Sequence, residues 1–227
     1  MIDVTFDWES CSLSPTAAVM SLGAVAWKRY GKESPFFDEG DGVLRNSIFS
    51  AHVDLRSMFV NGFAFDKSTA EWWAKQSDEV KASLLGNDSD EEPCRPIDVV
   101  INDFFGWIAY IKKKLGDEEL CLWAQGSDFD PAILRYICYK MGIKLEIKHT
   151  QLRDHRTFYL EMARIIWDAA EPNEERFDLD KAYALTTDYK DIADEGAAHD
   201  PIFDCKRSIY STWQMMTKIR EVYAKTI

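Results

Sequence analysis

Asp7 and Glu9 lie two residues apart in Val4-Thr5-Phe6-Asp7-Trp8-Glu9, a β-branched and aromatic run near the start of the chain. Such a run reads as a strand. Side chains alternate along a strand, so both carboxylates project from one face, with Thr5 in line and Trp8 opposite. Two carboxylates side by side repel each other unless a positive charge sits between them, and for oxygen ligands the simplest choice is Mg²⁺ or Mn²⁺. A D-x-E triplet alone more often marks two solvent-facing acids at a strand end, so the assignment depends on the rest of the chain.

Two further acidic clusters meet that condition. Trp123-Ala124-Gln125-Gly126-Ser127-Asp128-Phe129-Asp130 spans a strand-to-helix junction, and His199-Asp200-Pro201-Ile202-Phe203-Asp204 opens a C-terminal amphipathic segment. Strand ends and helix starts are where α/β sheets place their sites. In the third cluster Asp204 falls on the helix, with His199 on the loop before it. An imidazole with an ordinary pKa of about 6.5 is suited to activate water near neutral pH. Taken alone, His199 reads as a surface loop histidine.

The elements that must position these residues alternate between strand and helix. Residues 17–27 read as a buried strand, 31–42 as a turn-rich connection and 45–53 as another strand. Ser68 and Glu71 form a capping box that opens a helix over 68–85, ended by Gly86-Asn87. A second helix fits 97–115, with Gly116 after it, and 120–124 is a short buried strand. Residues 131–141 form a helix with Pro131 in its first turn and Asp130 as its N-cap, and 157–169 and 202–224 are two more. Alternation of this kind indicates an α/β sandwich.

Composition narrows the class. A chain of 227 residues and 46% hydrophobic content suits one large domain, residues 1–227. No apolar run approaches a bilayer span and the N-terminus lacks signal-peptide character, so a cytoplasmic protein with no membrane partner is expected. The cysteines, five and scattered, fit reduced thiols better than a disulfide framework or a zinc site. A net charge of −12 argues against a surface that wraps nucleic acid, though not against an enzyme that grips one strand end. Much of the excess lies in Asp88-Ser89-Asp90-Glu91-Glu92 and Glu171-Pro172-Asn173-Glu174-Glu175, which read as solvated loops.

In chain order, D-x-E, a Phe-Asp pair opening a helix, and H-x-x-x-x-D resemble the DEDDh exonuclease superfamily. The resemblance implies an RNase H-like (DnaQ-like exonuclease) α/β fold, a mixed β-sheet flanked by helices. It carries over Asp7, Glu9, Asp130, His199 and Asp204 as catalytic residues, the four acids as ligands of two Mg²⁺ or Mn²⁺ ions and His199 as general base. The segment 14–25, the helix Ser68-Thr69-Ala70-Glu71-Trp72-Trp73 and the element Asp154-His155-Arg156-Thr157 look like those of exonuclease VIII-type proteins and of the exonuclease A group of T-even phages.

Substrate contacts follow the same resemblance. Ser10 stands where the family commonly has Thr and keeps a hydroxyl for the terminal sugar; Leu13 is the apolar wedge at the terminal base. Gln125 replaces the usual Asn. Read from the residues themselves, Trp73 with Trp72 offers a stacking platform unless one of the two is a core-facing aromatic of its helix, and Arg156 and Arg153 are candidate phosphate contacts unless they pair with Asp154. Asp128 competes with Asp130 as ligand, and the adjacent Phe129 favours Asp130. The implied activity is metal-dependent 3′-5′ hydrolysis of nucleic acid 3′ ends, releasing nucleoside 5′-monophosphates, with single-stranded DNA favoured. RNA is open, since recognition of the 2′-OH separates the two. A non-catalytic acidic mimic of nucleic acid is the reading from a different class.

Overall fold

A computed structural model describes residues 2–37, 46–85, 93–116, 119–170, 178, 186–193 and 199–224. The acidic runs at 88–92 and 171–175, the helix stop at Gly86-Asn87 and the connection from 38 to 42 lie outside the described residues.

The sheet is built on β1 (Ile2–Ser10), with β2 (Val19–Lys28) antiparallel to it and β3 (Ile48–His52) antiparallel to β2. On the other side of β1 run β4 (Cys121–Ala124) and β5 (Leu152–Asp154), each parallel to its neighbour. The order is β3-β2-β1-β4-β5, a mixed five-stranded sheet with the D-x-E strand in the middle. The helices are α1 (Leu55–Val60), α2 (Lys67–Trp73), α3 (Asp78–Leu85), α4 (Ile97–Leu115), α5 (Asp130–Met141), α6 (His155–Ala170) and α7 (Pro201–Ala224).

Strand alternation divides β1 into two unlike faces. Val4, Phe6 and Trp8 enter the main core with Ile97, Val100, Ile101, Phe104 and Ile108 of α4 and Ile133, Leu134 and Ile137 of α5. Asp3, Thr5, Asp7 and Glu9 take the opposite face. On that side Val25 and Trp27 of β2 and Cys121 and Trp123 of β4 pack against Cys205 and Ile209 of α7. Tyr159, Ala163, Ile166 and Trp167 of α6 join Met215 of α7 in a third cluster. The polar stripe of β1 is therefore roofed by α7 instead of lying open.

Several expected boundaries change. The helix over 68–85 is two helices: Ser77 breaks it, its Oγ accepting from the Val80 N–H at 3.3 Å to start α3. Ser68 is not the cap of α2. Asp66 holds that position and makes no side-chain cap bond, its carboxylate accepting instead from Ser12 Oγ at 2.6 Å. Asp130 is the first residue of α5 and not its N-cap, a position that falls to Phe129. The strand expected at 45–53 is confined to Ile48–His52, and β5 and the Asp54-capped α1 are too short to show periodicity in sequence.

Candidate active site

Close approach of backbone brings the third motif to the first. Gly23 of β2 stands opposite Asp7 in the β1–β2 register. A Cβ on Gly23 would lie 2.7 Å from the Pro201 carbonyl carbon and 2.9 Å from Ile202 N, so only glycine admits the start of α7 at this distance. Asp200 caps that helix, accepting from the Ile202 and Phe203 N–H groups at 2.9 Å each. Asp204 then falls in the first turn, above the Asp7–Glu9 face, and its Oδ2 accepts from the His199 N–H at 3.0 Å.

His199 is held at φ +69°, a left-handed conformation rare for a residue with a side chain, and it is no free surface histidine. Its ring lies 4.8 Å from that of Trp72 and 5.7 Å from that of Trp73, nearly perpendicular to both. Trp73 in turn donates from Nε1 to the Ser10 carbonyl at 2.9 Å. Helix α2 thus ties the imidazole to the end of the D-x-E strand. Ligand atoms of Glu9, His199 and Asp204 all fall within 4.8 Å of one another, a grouping that stands alone among the described residues.

Asp130 approaches from the far side. It is 2% exposed, and its Oδ1 accepts from the Trp8 N–H at 3.2 Å, which fixes the head of α5 against β1 between Asp7 and Glu9 in sequence. Asp128 is exposed, whereas Asp130 is buried and bonded to the Trp8 N–H.

Burial dominates the electrostatics of these acids, and like charge adds to it at Asp7 and Glu9. Desolvation, and after it Asp130, Glu9, Asp204 and Asp200, hold the Asp7 carboxyl well above its usual range. Burial, then Asp204 and Asp130, push Glu9 up to about 9. Asp130 is raised to about 7 by burial, against the opposing Trp8 N–H and Arg156 guanidinium, and burial raises Asp204. The Ser21 hydroxyl, opposite Glu9 in the sheet, is buried with no hydrogen-bond partner among the described residues. All-oxygen donors that repel one another suit a hard divalent cation.

The expected substrate residues are placed unequally. Leu13 is 77% exposed. The Ser10 hydroxyl is buried and donates to the Ser12 carbonyl at 2.8 Å, so it is engaged in the chain's own turn. Gln125 is exposed and accepts from Ser208 Oγ of α7 at 3.2 Å. Trp73 is partly buried and Trp72 is the more open of the two. Arg156 is exposed and lines a cleft of about 870 Å³ that also contains Asp7, Gln125, His199 and Asp204. Arg153 donates to the Thr150 and Leu152 carbonyls, and not to Asp154.

Four residues position the site through contacts that a reading of sequence alone does not assign. Asp154 accepts from Gly126 N, Arg156 N and Thr157 Oγ1 at 2.7 to 3.0 Å, joining the loop after β4 to the start of α6. His155, 1% exposed, bridges Thr5 of β1 at 2.8 Å and Thr212 of α7 at 2.7 Å, and burial lowers its pKa to about 3, so it stays neutral. Gly23 and Asp200 are the other two. Asp200-Pro201 carries a visible signal, a capping acid before a proline at N1. The others depend on sheet register.

Residues 2–207 match the family described as the 3′-5′ exoribonuclease Rv2179c-like domain. An exodeoxyribonuclease of Enterobacteria phage T4 is 26% identical over 211 residues, covering 92% of this chain and 86% of the relative. Among solved structures, cell-death related nuclease 4 (CRN-4) superposes with a TM-score of 0.54 at 16% identity over 95% of this chain; the chain spans 64% of that protein's length. The nuclease domain of 3′hExo, a DEDDh family member solved with rAMP, superposes with a TM-score of 0.53 at 12% identity, covering 95% of this chain and 92% of that one. The mixed sheet flanked by helices is the RNase H-like fold of these nucleases.

Proposed function

This chain belongs to the Rv2179c-like 3′-5′ exoribonuclease domain family and is a DEDDh-type 3′-5′ exonuclease acting on nucleic acid; from that premise we propose how its residues divide the work. Residues 1–227 form one exonuclease domain. Asp7, Glu9, Asp130 and Asp204 hold two divalent cations, Mg²⁺ or Mn²⁺, whose charge the four carboxylates formally balance. When bound, the two cations polarise the attacking water and stabilise the leaving 3′-oxygen at phosphorus. The observation that carries this reading is the burial of the four acids around one face, where desolvation raises each carboxyl and neighbouring acids raise Asp7 and Glu9 further.

His199 takes the proton from the attacking water. The Asp204 hydrogen bond to its backbone N–H and the flanking indoles of Trp72 and Trp73 orient the imidazole, and no bond to its ring nitrogens competes with that role among the described residues. Leu13 meets the terminal base at the rim. Arg156 lies in the cleft near Asp130 and contacts a phosphate of the strand.

Single-stranded DNA is the proposed substrate, supported by the phage exodeoxyribonuclease that matches over most of both chains. The family's own description as an exoribonuclease favours RNA as the second reading. Membership of a nuclease family displaces the acidic-mimic alternative. No helix among the described residues is long and apolar enough to cross a membrane.

The test is hydrolysis of matched 5′-labelled single-stranded DNA and RNA with Mg²⁺, Mn²⁺ or EDTA. A metal-dependent ladder that shortens from the 3′ end, faster on DNA, is expected. A faster RNA ladder transfers the assignment to RNA, and no ladder with either metal contradicts the proposed metal chemistry.

A further inference from the structure

The cleft runs from the carboxylates along α7 to the segment 186–193, and among the described residues Arg156, Lys190 and Arg207 are the lysine and arginine side chains that line it. Arg207 stands one turn beyond Asp204. Its guanidinium is already engaged: Nε donates to Asp188 Oδ1 at 2.9 Å and Nη2 to Asp188 Oδ2 at 2.7 Å, a two-pronged grip on one carboxylate. Both partners remain partly open to solvent, with side chains 43% and 28% exposed, so the pair contributes little to stability.

The pair is one of several ties between this segment and α7, and Asp188 also accepts from the Lys190 N–H at 3.2 Å. Thr187 and Gln214 exchange two hydrogen bonds, Thr187 N to Gln214 Oε1 at 3.1 Å and Gln214 Nε2 to the Thr187 carbonyl at 2.6 Å. The Tyr189 ring lies 5.7 Å from Phe203 and 5.6 Å from Tyr210, both on α7. A phosphate offers the arginine fork the same two-oxygen edge as a carboxylate. A strand whose reacting end lies at Asp7 and Asp204 must carry its next phosphates past walls of this cleft, where the protein's net charge of −12 opposes them.

We propose that Arg207 is a substrate-phosphate contact of this exonuclease, and that Asp188 occupies its guanidinium in the free protein as a stand-in which the strand's phosphate displaces. The inference rests on the reading of the carboxylates as the reacting centre. Removing the competing acid then improves substrate binding, an outcome that a merely structural ion pair does not give.

The experiment measures KM on a single-stranded DNA oligonucleotide, with Mn²⁺, at several salt concentrations. Asp188→Asn lowers KM by about 2- to 5-fold. Arg207→Gln raises it by about 10-fold and flattens the salt dependence by roughly 0.7 in log–log slope. Arg207→Lys, which keeps the charge without the fork, falls between. An unchanged or raised KM in Asp188→Asn, or an unchanged salt slope in Arg207→Gln, overturns the proposal. Wild-type protein is assayed beside them on the p-nitrophenyl ester of thymidine 5′-monophosphate, a phosphodiester with no neighbouring nucleotide. Cleavage of that ester keeps the reacting centre intact when the variants fail, whereas cleavage by wild type of neither the ester, the DNA nor a matched RNA oligonucleotide overturns both.

Discussion

Asp3 and Asp7 lie four residues apart on the same face of β1, and their surroundings differ in kind. Asp3 is fully buried, paired with Arg29, and accepts from Trp123 Nε1 at 2.7 Å and from the Cys121 N–H at 3.2 Å. Asp7 faces Asp130, Glu9, Asp204 and Asp200, all of its own sign. One strand thus carries a satisfied acid that ties β1 to β4 and to Arg29 after β2, and an acid surrounded by others of its own sign. Thr5, between them, marks the transition through its bond to neutral His155. Burial alone does not distinguish a structural acid from a functional one; the sign of its neighbours does.

The sharpest way to break this comparison is to neutralise each acid in turn. Asp7→Asn is expected to lower kcat by at least ~10³-fold while leaving metal-free stability equal or higher, because it removes repulsion along with a ligand. Steady-state kinetics and thermal melts check the two halves. Retained activity in Asp7→Asn removes it from the site. His199→Ala comes next, with kcat lowered about 10²-fold and Mn²⁺ affinity largely kept, since a base is lost and not a required ligand. The close grouping of His199 with Glu9 and Asp204 makes the metal titration of that variant informative. Equal loss of metal and rate would make His199 a ligand.

Asp3→Asn reverses the pattern. Leaving Arg29 buried without its counter-charge costs about 3–5 kcal/mol of stability, read by urea denaturation, while Mn²⁺ affinity stays as in wild type. A fall in metal affinity matching that of Asp7→Asn would erase the distinction between the two ends of the strand.

A smaller and graded effect concerns pH. Glu9 and Asp130 hold their protons to about 9 and about 7 when folded, above their ordinary carboxylate values. The folded state therefore binds more protons than the unfolded one over that window, and stability falls as pH rises from about 4.5 to about 9. Thermal melts of metal-free protein should show this decline and melts with Mg²⁺ should show less of it. A metal-free melting temperature that rises steadily across the window would contradict the uncompensated cluster.

The exonuclease family of this chain was legible in its sequence because its candidate site residues lie in three compact motifs, Asp7-x-Glu9, Phe129-Asp130 and His199 to Asp204, which need no knowledge of packing to be seen. The helix at 97–115 and the strand at β4 were equally plain, each with strong periodicity or a continuous apolar run. What escaped was whatever depends on register or on a distant partner. Gly23 gains its role from standing opposite Asp7 and beneath Pro201, and His155 from meeting Thr5 and Thr212, residues 150 and 57 positions away. Ser68 satisfied a local capping pattern, yet Asp66 takes the cap position and gives its carboxylate to Ser12, and Ser77 cut a helix that local propensity would have continued. Ser10 kept the hydroxyl that the resemblance asked for, but the turn at Ser12 engages it.

The central claim is that the like-charged acids of β1, α5 and α7 exist to hold divalent cations. Isothermal titration of Mn²⁺ into wild type, Asp3→Asn and Asp7→Asn at neutral pH tests it most directly. Saturable binding in wild type and Asp3→Asn, weakened or lost in Asp7→Asn, is the expected result. No saturable binding in wild type, or binding that Asp7→Asn leaves unchanged, would contradict it.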